Sequence, residues 1–178
     1  MSAKKLIISG SGGQGQMFIG KMLSKLALDS YAHITFFPSY GAEVRGGTSN
    51  CQITLDSDPI ASPTFEVPNQ LILMNQPSVE RFMPLLEKGG LAFVNTSLAH
   101  AEGPNIVGIP ATDLAVEVGD VRVANVVMFG AFVQHTNIID LETARNGVIS
   151  ASKAKGEKAV ELNTLAFDKG VEYMKNLK

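Results

Sequence analysis

Leu6-Ile7-Ile8-Ser9-Gly10-Ser11-Gly12-Gly13-Gln14-Gly15 opens the chain with an apolar run followed at once by a glycine cluster. Behind it, Met17, Ile19, Met22, Leu23, Leu26 and Ala27 recur at helical spacing over residues 16–30. The stretch therefore predicts a strand, a tight turn and a core-facing helix. Glycine serves such a turn because positive φ and close backbone approach are both blocked by a Cβ. The helix that follows aims its free N–H groups and positive dipole end into the turn, which favours anions. Gly10-x-Gly12-x-x-Gly15 also fits the glycine spacing of a dinucleotide fingerprint. That fingerprint needs an acid about 20 residues further on, at the end of the next strand. The next strand, His33-Ile34-Thr35-Phe36-Phe37-Pro38, ends without one, and Asp29 comes too early, in the helix tail. Three readings of the turn stay open: a dinucleotide site, a site for another anion, and a device for packing the helix on the strand.

Strand and helix patterns alternate onward. Strands are predicted over 34–37, 52–55, 70–74, 91–95 and 106–109, and helices over 77–87 and 111–118. Gln70-Leu71-Ile72-Leu73-Met74 is apolar on both faces, as a strand covered on both sides must be. Pro77 near a first turn, with Gly89-Gly90 past the end, punctuates one helix. From Asn125 the pattern is helical throughout, over 125–136, 141–151 and 157–176. Alternation of this kind predicts an α/β fold: a Rossmann-like, doubly wound, mostly parallel sheet with flanking helices and a helical C-terminal segment. The 178 residues suit a single domain, 1–178.

Composition narrows the function. The formal net charge of −2 gives no electrostatic reason to bind nucleic acid. Nothing approaches the roughly 18 apolar residues of a membrane span, and the short run behind Lys4-Lys5 lacks the form of a signal peptide, so a cytoplasmic location is expected. One cysteine, Cys51, cannot form an intrachain disulfide or hold an iron–sulfur cluster, which takes about four thiolates. Cys51 lies in an apparent strand, where a small buried thiol is the ordinary case. His33, His100 and His135 stand in separate elements without ligand spacing, so no metal site is expected. No Gly-x-Ser-x-Gly elbow is present.

A second segment, Tyr40-Gly41-Ala42-Glu43-Val44-Arg45-Gly46-Gly47-Thr48, follows the second strand. Together with the Gly-Gly-Gln-Gly turn it resembles the gamma subunit, or gamma domain, of the 2-oxoacid:acceptor oxidoreductases. Those enzymes oxidatively decarboxylate pyruvate, 2-oxoglutarate, branched-chain 2-oxoacids or indolepyruvate. The resemblance continues through the strand beginning Ser49-Asn50-Cys51 and its Pro59-Ile60-Ala61-Ser62-Pro63 turn. It then takes in Asn125 with the following Gly130-Ala131, and Asn163, Ala166, Phe167 and Gly170 near the end. It implies a gamma subunit of a multisubunit 2-oxoacid:ferredoxin oxidoreductase that makes acyl-CoA and passes electrons to ferredoxin. On that reading this chain binds no cofactor alone. Thiamine diphosphate, magnesium and iron–sulfur clusters belong to alpha, beta and, where present, ferredoxin-like delta partners, with coenzyme A as co-substrate. The competing reading is a stand-alone nucleotide- or coenzyme-binding module.

Candidate cofactor-binding or subunit-interface residues are Gly12, Gly13, Gln14, Gly15, Tyr40, Glu43, Arg45, Gly46, Gly47 and Asn125. Tyr40 can stack or donate a hydrogen bond. Arg45 suits bidentate pairing with a carboxylate or phosphate, or else it simply pairs with Glu43 on the surface. Gly46 and Gly47 permit close backbone approach. Asn125, at a predicted helix start, is either an N-cap or a site contact. Both loops should leave the carboxyl ends of their strands, where ligands of doubly wound sheets bind.

Overall fold

The computed structural model of the protein describes residues 3–39 and 48–177. Six strands form one sheet: β1 (Lys4–Ser11), β2 (His33–Ser39), β3 (Thr48–Asp56), β4 (Gln70–Leu73), β5 (Leu91–Asn95) and β6 (Ile106–Ile109), in the spatial order β2-β3-β1-β4-β5-β6. β1, β4, β5 and β6 pair in parallel. β3 runs antiparallel to both of its neighbours, β1 and β2, so it alone opposes the direction of the other strands. The alternating pattern anticipated a mostly parallel sheet, and the sheet is one, with β3 as the strand that opposes the rest. The reason is the connection. The chain leaves β1, crosses over, lays β2 one place away, and returns by hairpin to fill the gap with β3, which needs no crossover helix.

The helices are α1 (Gln16–Leu26), α2 (Gln76–Phe82), α3 (Ala111–Val118), α4 (Ala124–Thr136), α5 (Leu141–Ser152) and α6 (Glu157–Asn176). They divide unequally between the two faces. Leu6, Ile8, Ile53, Ile72 and Phe93 point into a large core closed by residues of α1, α3, α4, α5 and α6, whereas Ile7, Leu71, Leu73 and Val94 face a smaller cluster with Val79 and Phe82 of α2. Successive strand residues point to opposite faces, so one run serves both cores. α1 ends at Leu26 and continues only as a 3₁₀ turn over Ala27–Asp29, shorter than the 16–30 pattern. α2 is likewise curtailed. Met83–Leu85 forms a 3₁₀ turn, because Pro84 has no N–H to continue the ladder and its ring crowds the preceding turn.

α4 is apolar around its whole circumference, and Ala124 to Val133 are all buried. A helix of that kind belongs inside the molecule. It lies between the sheet, where Phe132 meets Phe93 edge-on at 5.0 Å, and α6. The seam with α6 is glycine-lined. A Cβ on Gly130 would strike the Phe167 carbonyl oxygen, and one on Gly170 would strike that of Val127. α5 is tied to α6 by Arg145, whose Nε and Nη2 donate to the two Asp168 carboxylate oxygens at 2.8 Å each.

Candidate functional site

The rim at the carboxyl ends of β1, β4 and β5 is where the strand order reverses. α1 carries the chain from β1 to one side of the sheet, and β4 lies on the other. Four of the candidate residues form the turn at this point. Gly13 and Gly15 hold φ of 93° and 77°, the left-handed region that glycine enters freely, whereas Gly12 does not. Gly10 belongs to β1, where a side chain would strike Gln14 and Met74. The turn closes on itself: Gln14 Oε1 accepts the Ser11 N–H at 2.7 Å, and the Gln14 N–H donates to the Ser11 carbonyl at 3.2 Å. α1 then starts without a side-chain cap, because its N-cap is Gly15.

Asn125 meets this turn. Its Nδ2 donates to the Gly15 carbonyl at 3.1 Å, and a Cβ at Gly15 would fall on its amide. The capping alternative for Asn125 fails. A 3₁₀ turn over Val121–Val123 starts the helix early, so Asn125 is its second residue and the N-cap is Val123. The side chain is 5% exposed, and its Oδ1 has no protein partner. Tyr40, Glu43, Arg45, Gly46 and Gly47 lie outside the described residues. The chain enters that segment from Ser39 at the end of β2 and leaves it at Thr48, which pairs with Ser11 beside the turn.

Sequence reasoning passed over the polar groups that hold the rim. Gln16, 2% exposed, donates through Nε2 to the Ser11 and Ser49 carbonyls at 3.0 and 3.3 Å, which fastens β1, β3 and the start of α1 together. Its Oε1 also lacks a protein partner. Asn75 caps α2 by accepting from the Ser78 N–H at 3.1 Å, and its Nδ2 donates to Ser11 Oγ at 2.5 Å. Asn95 Nδ2 bridges the Met74 carbonyl at 3.2 Å and Thr112 Oγ1 at 2.9 Å. One signal could have found Asn75 and Asn95: each follows or ends an apolar strand at the rim. Arg81 Nη1 donates to Thr48 Oγ1 at 3.1 Å, from the direction of α2.

Space opens on both sides of Gly13. On one side lies a cavity of about 480 Å³ lined by Gly15, Phe18, Arg122, Asn125, Lys155 and Asn163. On the other is one of about 170 Å³ between Gln14, Met74, Thr112 and the half-exposed Leu98 and Val121. Arg122 is engaged by Asp120, and its hydrogen bonds hold that carboxyl down to about 2. No carboxylate stands in the first turn of α1. The rim can therefore receive an anion or a hydrogen-bonding backbone, but it holds no nucleophile–base pair among the described residues. Cys51 is not that nucleophile. Burial pushes its thiol up to about 12, against a smaller lowering by a backbone contact with Ile8. Among the described residues no group of His, Cys, Asp and Glu is placed to hold a metal ion.

The topology departs from a dinucleotide-binding half. There the strand beside β1 runs parallel to it and delivers an acid to this rim. Here that place is taken by β3, which begins at the rim with Thr48-Ser49-Asn50. The match to known proteins points elsewhere. Residues 5–173 fit the model of the pyruvate ferredoxin/flavodoxin oxidoreductase family.

The chain belongs to that family.

Among its relatives is the 2-oxoglutarate synthase subunit KorC of Methanocaldococcus jannaschii, 32% identical over 183 residues, with 98% of this chain and 95% of that one covered. The ketoisovalerate oxidoreductase subunit VorA of Methanothermobacter thermautotrophicus is 31% identical over 169 residues. That alignment takes in 93% of this chain but only 35% of VorA, so the chain spans about a third of that relative's length. The gamma subunit of a keto/oxoacid ferredoxin oxidoreductase from Geobacter sulfurreducens superposes with a TM-score of 0.81 at 27% identity, covering 98% and 99% of the two chains. In this pyruvate ferredoxin/flavodoxin oxidoreductase family member, no helix among the described residues is long and apolar enough to cross a membrane.

Proposed function

We propose that the chain, acting as one domain over 1–178, is the gamma-type subunit of a cytoplasmic, multisubunit 2-oxoacid:ferredoxin oxidoreductase. Its part is to present the Gly12–Gly15 turn and residues 40–47 to coenzyme A or to a partner subunit's face. Thiamine diphosphate with magnesium, held by alpha and beta partners, supplies the decarboxylation chemistry, and iron–sulfur clusters there or on a delta partner carry electrons to ferredoxin. A cluster does not fit this chain, whose only cysteine is sealed in the core.

The observation that carries the reading is the outward-facing turn. Among the described residues, chain neighbours aside, nothing lies within 4 Å of where a Cβ would stand on Gly12 or Gly13, and both are exposed at the head of a helix. Glycines kept for internal packing would have neighbours there. A free-standing nucleotide module is disfavoured by the antiparallel β3 beside β1 and by the family match over 5–173.

The test is reconstitution. Complex rebuilt with wild-type chain should reduce an acceptor in a 2-oxoacid- and coenzyme-A-dependent manner, while the isolated chain should not. Arg45→Lys keeps the charge but loses the two-pronged geometry. It should lower the rate at least tenfold at equal assembly. Equal rates would leave Arg45 as a surface ion pair with Glu43, worth about 0–1 kcal/mol. Turnover by the isolated chain would overturn the whole reading.

A further inference from the structure

Away from the rim, α1 and α5 enclose a second apolar slot of about 300 Å³, floored by Phe18, Met22, Leu26, Gly147 and Ala151. It exists because the helices cross closely at Gly147, where any Cβ would run into the Leu26 side chain. An enclosed cavity of about 150 Å³ already holds a benzene ring, so this slot has room for a large apolar side chain. Two lysines of α1, Lys21 and Lys25, line it. Lys153 and Lys155 follow the end of α5 in sequence, and Lys155 lines the neighbouring cavity beside Gly13. The Lys155 ammonium sits 5.5 Å over the Phe18 ring.

Among the described residues this arrangement has no acidic counterpart. None of these four exposed lysines reaches a carboxylate among the described residues, whose ion pairs join other side chains. Lys21 and Lys25 are also four apart on one helix, where like charges repel. Lys21 and Lys25, without a carboxylate partner among the described residues of a chain of net charge −2, stand beside an apolar slot, and together they ask for negative charge and one apolar group from outside. A polypeptide supplies both in one segment, and potential complementarity of this kind guides register and approach at protein interfaces.

We propose that the α1–α5 slot docks an acidic segment of a partner subunit, with one apolar side chain of that segment seated between Phe18 and Ala151. The proposal rests on the subunit reading above. It is tested on the complex purified through a tag on this chain. A carbodiimide should join Lys21, Lys25 or Lys153 directly to Asp or Glu of one partner subunit. In the complex those lysines should acetylate at least tenfold more slowly than in the isolated chain.

Two variants address the two halves of the slot separately. Lys21→Glu with Lys25→Glu reverses the charge beside the slot at exposed positions. Ala151→Trp, also at an exposed position, fills the slot. Each should weaken assembly at least tenfold while the isolated chain keeps its circular dichroism and melting temperature. An assembled complex that shows no cross-link from these lysines and tolerates both variants overturns the docking proposal alone. Protection of the lysines by laurate, with no protection by the partner, would overturn it in favour of a small anionic amphiphile. If the wild-type chain brings down no other subunit, the subunit reading fails and takes this proposal with it.

Discussion

Gly130 and Gly170 are enclosed on every side by the α4–α6 seam, while Gly12 and Gly13 stand at the carboxyl rim with open space where a side chain would go. The residue type is the same and the physical reason for it is opposite. In the seam, the absence of a Cβ lets two helices approach until backbone touches backbone, so the contact is spent inside the molecule. At the rim none of the described residues uses the space. On the proposed function, fold and function place separate demands on glycine in this chain, and substitution should separate them.

The seam should give an effect as large as any. In an unhindered helix Gly→Ala stabilises by about 1 kcal/mol. At Gly170 the new methyl would meet the Val127 carbonyl and the Ala131 N–H, backbone that no rotamer can move aside. Overpacking of this kind costs about 1–3 kcal/mol or more. Gly170→Ala is expected to lower the melting temperature by roughly 5–10 °C, at about 2–4 °C per kcal/mol for a chain of this size. A rise on melting would show that the helices part without cost, and the contrast between the glycine pairs would dissolve.

Gly15 stands between the two cases in its setting and should cost about as much as the seam. It is an internal contact, pressed against Asn125, yet it sits in the turn and holds φ of 77°. Gly15→Ala carries the left-handed cost of about 1–2 kcal/mol. It must also dislodge the Asn125 amide from the Gly15 carbonyl, a bond worth about 1 kcal/mol. The expected loss is therefore about 2–3 kcal/mol in denaturant unfolding, with a smaller loss in an Asn125→Ala background. Equal losses in both backgrounds would mean that Asn125 does not brace the turn.

How far the sequence could show this depends on whether a feature is local. Leu91–Asn95, Ile106–Ile109, Ala111–Val118 and Glu157–Asn176 were legible to the residue, because each is a dense apolar pattern between strong stop signals. β3 was legible only over its apolar stretch, residues 52–55. Its first half, Thr48-Ser49-Asn50-Cys51, is held by pairing with β1, and from Asn50 with β2 as well, rather than by hydrophobic spacing, and periodicity carries no information on strand direction. β2 runs on through Pro38 to Ser39, which an edge strand permits since a proline N–H is not needed on the open side. At the site, the glycine turn was plain from composition. The bracing by Gln16, Asn75 and Asn95 was not, because a lone amide at a strand end reads as an ordinary cap until the fold brings its partner from 17 to 64 residues away.

The smallest effect on stability should come from the position with most to say about function. Gly12 does not hold a positive φ, and a Cβ there meets no atom within 4 Å among the described residues, chain neighbours aside. Substitution of an exposed residue without a special role stays within about 0.5 kcal/mol. Gly13→Val is a poorer probe, since its φ of 93° adds strain that confuses folding with function. Gly12→Val should thus leave unfolding of the isolated chain unchanged. In the rebuilt complex, the added side chain would occupy the space a ligand or partner backbone needs, and activity should fall at least tenfold. Raising coenzyme A should restore the rate if the turn meets the co-substrate, whereas the yield of complex should fall if it meets a subunit. A Gly12→Val complex that forms and turns over normally would mean that the turn, like the seam, serves only the chain's own packing.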